Sequence, residues 1–122
     1  EQLLREQSDL AAFTSTTITS TPAIELELAR VRRRGYAIDR EEYAEGFCCV
    51  GAPIFDPDGQ VAASIAISTP ARRFATHAEE LTGAVRDVAT TATRCWRDAE
   101  SGLSPPDDVA PPVRIDPTPG GC

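Results

Sequence analysis

The stretch that decides the fold runs from Gly35 to Thr69 and reads GYAIDREEYAEGFCCVGAPIFDPDGQVAASIAIST. It contains two apolar runs, Phe47 to Phe55 and Gln60 to Ser68, joined by the sequence Asp56-Pro57-Asp58-Gly59. Two such runs separated by a short loop with proline and glycine are typical of a β-hairpin. The proline favours the turn, and the glycine adopts the backbone conformation that ends it. The sequence therefore predicts two antiparallel strands joined by a four-residue loop.

The register of this hairpin sorts its side chains onto two faces. If Phe55 pairs with Gln60, alternation along each strand fixes every other pair. One face is then apolar and predicted to be the core face: it carries Cys48, Val50, Ala52, Ile54, Val61, Ala63, Ile65 and Ile67. Beyond Phe47, the opposite face carries small and weakly polar side chains: Cys49, Gly51, Ser64, Ala66 and Ser68. Such small side chains leave room above that face.

Two interpretations of the small-residue face stay open at this point. A helix could pack closely against it, or a ligand could fill the space and use the thiol and the hydroxyls as polar anchors. On residue types alone the close-packed helix is favoured, because ligand pockets are few per protein.

Composition limits the class of protein. The chain has 122 residues, of which 41% are hydrophobic, enough for one domain with a core. A net charge of -7 disfavours binding to a phosphate backbone, so we expect no direct DNA contact from these residues. No apolar run reaches the ~20 residues that span a bilayer, and the opening EQLLREQSDL is too polar for a signal peptide, so we expect a cytoplasmic protein without membrane contact. The first residue is Glu, so the chain is either processed or part of a longer protein.

Two helices are predicted on either side of the hairpin. Thr21 as N-cap and Pro22 at the first position begin one, which Gly35 ends. The sequence from Thr76 to Glu79 reads as a capping box, which predicts a second helix running to about Asp98. Its predicted buried stripe comprises Leu81, Val85, Val88, Ala92 and then Cys95 or Trp96.

The remaining segments are less regular. Thr14 to Thr19 is predicted to be a loop or an edge strand, and Tyr36 to Ile38 a short strand. The segment from Ser101 to Cys122 carries six of the ten prolines and almost no apolar clustering. We therefore expect one domain over residues 1–98 and a disordered, proline-rich tail over residues 99–122.

No catalytic or metal-binding pattern stands out. Cys49, His77 and Asp39 supply the residue types of a thiol nucleophile, a base and an orienting acid, but no local signature surrounds them. The adjacent Glu41 and Glu42 are typical of a solvated turn. The four cysteines lack paired zinc-site spacing, and the chain has one histidine. We expect no catalytic residues, no metal, no cofactor and no enzyme activity.

The sequence from Thr14 to Thr69 resembles the effector-binding domain of the IclR family of bacterial transcriptional regulators. The resemblance covers about Leu3 to Trp96. The matching pieces are the helical segment Thr19 to Gly35 with the following Tyr36-Ala37, the acidic turn Asp39 to Glu42, Gly46, the strand Cys49 to Pro53, the turn Asp56 to Gly59, and Ala62 to Ser68.

This resemblance implies an α/β (α+β) domain of GAF-like type, with an antiparallel or mixed sheet flanked by helices. It also implies that the domain senses a small molecule, often an organic or aromatic acid, and is joined to an N-terminal winged helix-turn-helix that binds operator DNA. Neither the helix-turn-helix nor the first part of the sensing domain lies in these residues. Members of the family are usually homodimers or homotetramers.

Carried over by position, the family's effector pocket corresponds to Asp39, Cys49 and Ser68, and Ala66 stands where a related regulator has a hydroxyl. The hairpin register independently places Cys49, Ala66 and Ser68 on one face, and this agreement favours a pocket over a close-packed helix. Because Ala66 offers no hydrogen-bond donor, we expect a larger or more apolar effector than those of hydroxyl-bearing relatives.

Two other classes stay open. A stand-alone GAF-like module could regulate an enzyme or a signalling partner without touching DNA. A truncated remnant is the third possibility, since a domain that lacks its first strands exposes a sheet edge and tends to aggregate.

Overall fold

The computed structural model describes residues 10–102. Its elements are α1 (Thr21–Arg34), β1 (Ala37–Arg40), β2 (Phe47–Phe55), β3 (Val61–Pro70) and α2 (Ala71–Glu100). The strands form one antiparallel sheet in the order β1-β2-β3. The predicted α+β class is confirmed. The predicted tail lies outside the described residues from position 103 onward.

Helix α1 is bounded by local signals in the sequence. Its N-cap is Ser20, whose hydroxyl accepts a hydrogen bond from the Ala23 N–H at 3.3 Å. The prediction of Thr21 as N-cap was therefore wrong by one residue, because the serine immediately before it is an equally good cap. Gly35 ends the helix as predicted, with a left-handed φ of 79° and its N–H donating to the Val31 carbonyl at 2.8 Å.

The hairpin forms, but the predicted pairing of Phe55 with Gln60 was wrong. Phe55 pairs with Val61, and a register shift follows between Ile54 and Phe55. The cause is Asp56, whose backbone N–H donates to the Gln60 carbonyl at 2.9 Å while its carboxylate accepts from the Gln60 N–H at 2.8 Å. Along the rest of β2 the pairs are displaced by two residues from the prediction, as in Cys49 with Ser68. Because side chains alternate with a period of two, the predicted faces persist along those pairs.

The core lies between one face of the sheet and α2. Its buried apolar side chains are Cys48, Val50 and Ala52 from β2 and Phe74, Val85 and Ala89 from α2. Ile54, Ile65 and Ile67 pack against them, as predicted.

Two residues predicted for the core face are exposed. Val61 has 64% of its surface accessible, because the register shift pairs it with Phe55 rather than with a core residue. Ala63 is exposed on β3, which is an edge strand of the three-stranded sheet.

Helix α2 begins earlier than predicted. It starts at Ala71, directly after Pro70, and has a kink at His77, where φ is -127° and ψ is 18°. The hydroxyl of Thr76 donates back to the Arg73 carbonyl at 3.0 Å, so it completes the preceding turn rather than starting the helix. The predicted capping box does not form, but the kink at His77 divides α2 into two helical segments at the position of the predicted start.

The buried stripe of α2 follows the prediction in part. Leu81 and Ala92 are half-buried and Val85 is buried, but Val88 is 50% exposed and Ala89 is buried instead. Val85 and Ala89 face the sheet, whereas Val88, the residue before Ala89, lies about 100° away from it around the helix and reaches solvent. Further along, Trp96 is 39% exposed. Within residues 10–102, no helix is long and apolar enough to cross a membrane.

Candidate functional site

The face of the sheet turned away from α2 carries all four residues predicted for the effector site. Asp39 on β1 pairs with Cys49 on β2, and Cys49 pairs with Ser68 on β3, so these three form one row across the sheet. Ala66 lies in the next row, opposite Gly51. We call this surface the open face and define it by these five residues. The structure thus brings the four predicted residues together.

The open face has little cover from the described part of the chain. Ala66 and Ser68 are exposed, and Cys49 and Asp39 are half-buried. Helix α1 buries none of its residues fully. A close-packed helix over the small side chains is therefore absent from residues 10–102. A methyl group added at Gly51 would lie 3.5 Å from the Ala66 Cβ, an ordinary contact, so packing on this face does not require the glycine.

The carboxylate of Asp39 is held in place by the acidic turn that follows β1. Its Oδ1 accepts a hydrogen bond from the Glu42 N–H at 2.7 Å. Within residues 10–102 the second oxygen has no hydrogen-bond partner, which leaves it available to a donor on a ligand. Asp39 therefore presents a fixed acceptor at the end of the row.

Threonines from the segment before α1 support this acidic turn. Thr14 and Thr16 donate from their hydroxyls to the Glu41 carbonyl at 2.7 and 2.8 Å, and Thr17 donates to the Glu42 carbonyl at 2.5 Å. Glu41 has a φ of 60°, which is uncommon for a residue other than glycine. These hydrogen bonds hold the turn and, through Glu42, orient Asp39.

Sequence reasoning missed these threonines as part of the site. Thr14 to Thr19 proves to be a loop rather than an edge strand. The available signal was the polar character of a threonine-rich segment, since threonine hydroxyls readily bond to backbone groups. Nothing in that segment indicates which carbonyls, more than twenty residues away, the hydroxyls reach.

The adjacent cysteines lie on opposite faces of β2. Cys48 is buried in the core, and this burial raises the pKa of its thiol above the ordinary value of 9.0. Cys49 lies half-buried in the row of the open face. The thiol that can contact a ligand is therefore that of Cys49.

A groove of about 560 Å³ adjoins the open face at one end. It lies between the sheet and the C-terminal end of α1, and its walls include Val31, Pro53, Phe55 and Val61. Gly51 contributes to it, but Asp39, Cys49, Ala66 and Ser68 do not. The groove is largely apolar, so it offers space for the body of a ligand whose polar group contacts the row.

The catalytic set considered above does not assemble. His77 is on α2, which packs against the core face, whereas Cys49 and Asp39 are on the open face. The imidazole Nδ1 lies 2.7 Å from the Thr76 hydroxyl and 3.2 Å from the Arg73 carbonyl. In the part of the chain that the structure describes, no group of three or more His, Cys, Asp or Glu side chains could hold a metal ion.

The described part of the chain is thus a three-stranded antiparallel sheet with a long helix on one face and a row of polar side chains on the other. Residues 1–94 match the family described as bacterial transcriptional regulator IclR C-terminal. The chain belongs to this family, as its resemblance indicated.

Individual relatives agree with this assignment. The HTH-type transcriptional regulator BhcR of Paracoccus denitrificans is 36% identical over 109 residues, which cover 89% of this chain and 37% of that protein. The HTH-type transcriptional repressor AllR of Escherichia coli K12 is 35% identical over 89 residues, covering 69% of this chain and 33% of that protein. The crystal structure of the Thermotoga maritima IclR protein superimposes with a TM-score of 0.72 at 36% identity, covering 79% of this chain and 39% of that one. The chain thus spans about a third of the length of the curated relatives it matches.

Proposed function

We propose that this chain is the ligand-sensing part of an IclR-type transcriptional regulator and that it binds a small organic or aromatic acid on the open face. The observation that carries the proposal is the row of Asp39, Cys49 and Ser68, direct neighbours across three strands on a face that no described helix covers. Ala66 is the fourth contact, in the adjoining row.

The chemistry of the row restricts the ligand. The Ser68 hydroxyl and the Cys49 thiol can donate to an oxygen of a carboxylate, the thiol more weakly. Asp39 can only accept when ionised, and it would repel a carboxylate placed against it. The best fit is therefore an acid that also carries a hydroxyl: the carboxylate contacts Ser68 and Cys49, and the hydroxyl donates to Asp39.

The missing hydroxyl at Ala66 and the adjoining groove favour an apolar body on such a ligand. A methyl side chain at position 66 provides contact area but no hydrogen bond. The groove of about 560 Å³ begins one row away, at Gly51 and Ala37, and is walled by apolar side chains. A hydroxy acid with an aromatic or branched aliphatic body would use both features.

Ligand binding would act by shifting a conformational equilibrium. A ligand can favour one arrangement of the domain only if it binds that arrangement more tightly than the other. Here the element that would respond is the acidic turn after β1, since Asp39 and Glu42 join the ligand row to a turn held by threonines from another segment. DNA would be bound by a helix-turn-helix outside this chain, in a cytoplasmic homodimer or homotetramer, and the domain itself would catalyse no reaction.

Titration with two hydroxy acids tests the site. The probes are 3-hydroxybenzoate, with an aromatic body, and lactate, with a small aliphatic one. In the Ser68→Ala variant we expect the aromatic acid to bind about fivefold more weakly, which corresponds to about 1 kcal/mol for one lost hydrogen bond. Calorimetric titration of the wild-type chain and the variant measures this difference.

Ser15→Ala is the matched control for this titration. Ser15 is exposed in the loop before α1 and lies neither in the row nor in the lining of the groove. Its substitution should change binding to the row by less than twofold. Equal affinities in the wild-type chain and the Ser68→Ala variant would remove Ser68 from the site, and equal losses in both serine variants would refute a site centred on the row.

A further inference from the structure

A second cleft lies where the C-terminal half of α2 passes the end of β2. Its volume is about 620 Å³. One wall is apolar and includes Pro53 and Phe55, and the other is formed by α2. None of Asp39, Cys49, Ala66 and Ser68 lines it. The cleft is therefore separate from the row of the open face, but it shares Gly35, Ala52, Pro53 and Phe55 with the groove beside that face.

The helical wall of this cleft carries three arginines. Arg86, Arg94 and Arg97 all line it, with one carboxylate, Asp98. None of the three guanidinium groups has an ion-pair partner within 4.0 Å among residues 10–102, whereas Arg30 and Arg34 both pair with Glu27. In a chain with a net charge of -7, three unpaired cations in one cleft are a local concentration of positive charge. Such a concentration attracts anions.

Neighbouring groups restrain the side chains that line this cleft. The Arg86 guanidinium lies 5.7 Å from the centre of the Tyr36 ring, a cation–π contact that restrains it. The Thr93 hydroxyl oxygen accepts a hydrogen bond from the Phe55 N–H at 3.0 Å, so the orientation of this side chain is set. Its hydroxyl hydrogen has no acceptor in residues 10–102 and can donate to a ligand. Thr90 places a second hydroxyl in the lining.

We propose that this cleft is a binding site for a small organic anion. Guanidinium groups present paired N–H donors that match the two oxygens of a carboxylate or phosphate. The head group would contact Arg94 and Arg97, with Arg86 contributing its charge, and the apolar body would lie against Phe55. The site differs in chemistry from the open face, where the charged member of the row is the carboxylate of Asp39.

Amide chemical-shift titration of the full 122-residue chain tests the proposal. Benzoate serves as the probe with an apolar body, and inorganic phosphate as the probe with a head group alone. We expect saturable benzoate shifts at Thr90, Thr93 and Arg97, which line this cleft but not the groove beside the open face. The double variant Arg94→Gln/Arg97→Gln should weaken benzoate binding at these amides by at least tenfold, and inorganic phosphate, which has no apolar body, should bind there more weakly than benzoate.

The double variant Arg72→Gln/Arg73→Gln is the control, because it removes the same charge from exposed positions at the other end of α2. It should change the dissociation constant by less than twofold. If the two double variants weaken benzoate binding equally, the binding depends only on the net charge of the chain and not on this cleft. That result would overturn the proposal. Absence of saturable shifts in the wild-type chain, or shifts confined to the open face, would also overturn it. The Ser68→Ala variant distinguishes this proposal from the proposed function. It should leave benzoate binding in this cleft unchanged, whether or not the hydroxy acid proves to bind the row of the open face.

Discussion

The two faces of the sheet are built from alternate residues of the same strands, yet one is closed and the other open. On the core face, Cys48, Val50 and Ala52 are buried beneath α2. On the open face, the neighbouring Cys49 is half-buried and its partner Ser68 is exposed. Within single strands, therefore, one set of residues is buried in the core and the set between them is accessible to solvent.

The largest expected effect is a difference in the free energy of unfolding between alanine variants of two phenylalanines. Phe74 is 2% exposed in the core, and Phe47 is 51% exposed on the other side of the sheet. Phe74→Ala should lower the free energy of unfolding by about 3–5 kcal/mol, because it leaves a cavity in a packed core. Phe47→Ala should cost under about 1 kcal/mol. Urea denaturation of both variants measures the contrast, and similar losses would mean that the open face carries as much packing energy as the core.

A smaller loss of stability is expected when a hydrogen bond to the acidic turn beside the open face is removed. Thr14→Val removes the hydroxyl that donates to the Glu41 carbonyl at 2.7 Å while preserving the shape of the side chain. The loss should be about 1–2 kcal/mol of stability, because the same hydroxyl also accepts a hydrogen bond from the Thr16 N–H at 3.2 Å. Weaker ligand binding at Asp39 should accompany it, since the turn orients that carboxylate through Glu42.

Thr91→Val is the control for the turn. Thr91 is exposed on α2, and no hydrogen bond from its hydroxyl to a residue in 10–102 is present. Its substitution should change stability by less than about 0.5 kcal/mol. If the two valine variants behave alike in denaturation and titration, the threonine loop has no role in holding the turn.

The adjacent cysteines allow a direct test of which face each side chain occupies. The expected effect is a difference in their rates of alkylation rather than in stability. Cys49 should be alkylated faster than Cys48, because thiolate formation at Cys48 is opposed by burial, which raises the pKa of that thiol. Brief exposure to iodoacetamide followed by fragmentation mass spectrometry distinguishes the two positions. Faster modification of Cys48 would reverse the assignment of faces.

The same raised pKa predicts a pH dependence of stability. Below the ordinary pKa of 9.0, the Cys48 thiol is neutral in both the folded and the unfolded chain and contributes no slope. As the pH rises through that value, the unfolded thiol ionises first, so the free energy of unfolding falls. The Cys48→Ala variant should show a shallower decline above pH 9 than the Cys49→Ala variant, measured by denaturation at several pH values.

Much of this architecture was predictable because it depends on local sequence. The Asp56 to Gly59 turn, the alternation along β2 and the glycine at the end of α1 each follow from the residue itself or its immediate neighbours. The family resemblance, now confirmed, selected three candidate residues, Cys49, Ala66 and Ser68, that alternation along the hairpin had already placed on one face. Binding of an effector by Asp39, Cys49, Ala66 and Ser68 stays a prediction.

Other features were missed because they depend on which side chain reaches which partner. The Asp56 carboxylate accepts a hydrogen bond from the Gln60 N–H, and the pairs along β2 lie two residues away from the predicted pairing. The long helix already begins at Ala71, and Thr76, beside the kink at His77, bonds backward to Arg73 instead of forward as a capping box would. In both cases a polar side chain had two possible backbone partners of similar chemistry, and the local pattern does not select between them.

The sequence by itself determined the alternation of side chains and hence the two kinds of face, because a strand repeats every two residues whatever surrounds it. Only the tertiary structure decided that α2 covers the face with Val50, that threonines before α1 hold the turn beside Asp39, and that three arginines share a cleft with Phe55. The reason is physical: these contacts join segments that are distant along the chain, and their geometry depends on how the elements pack together.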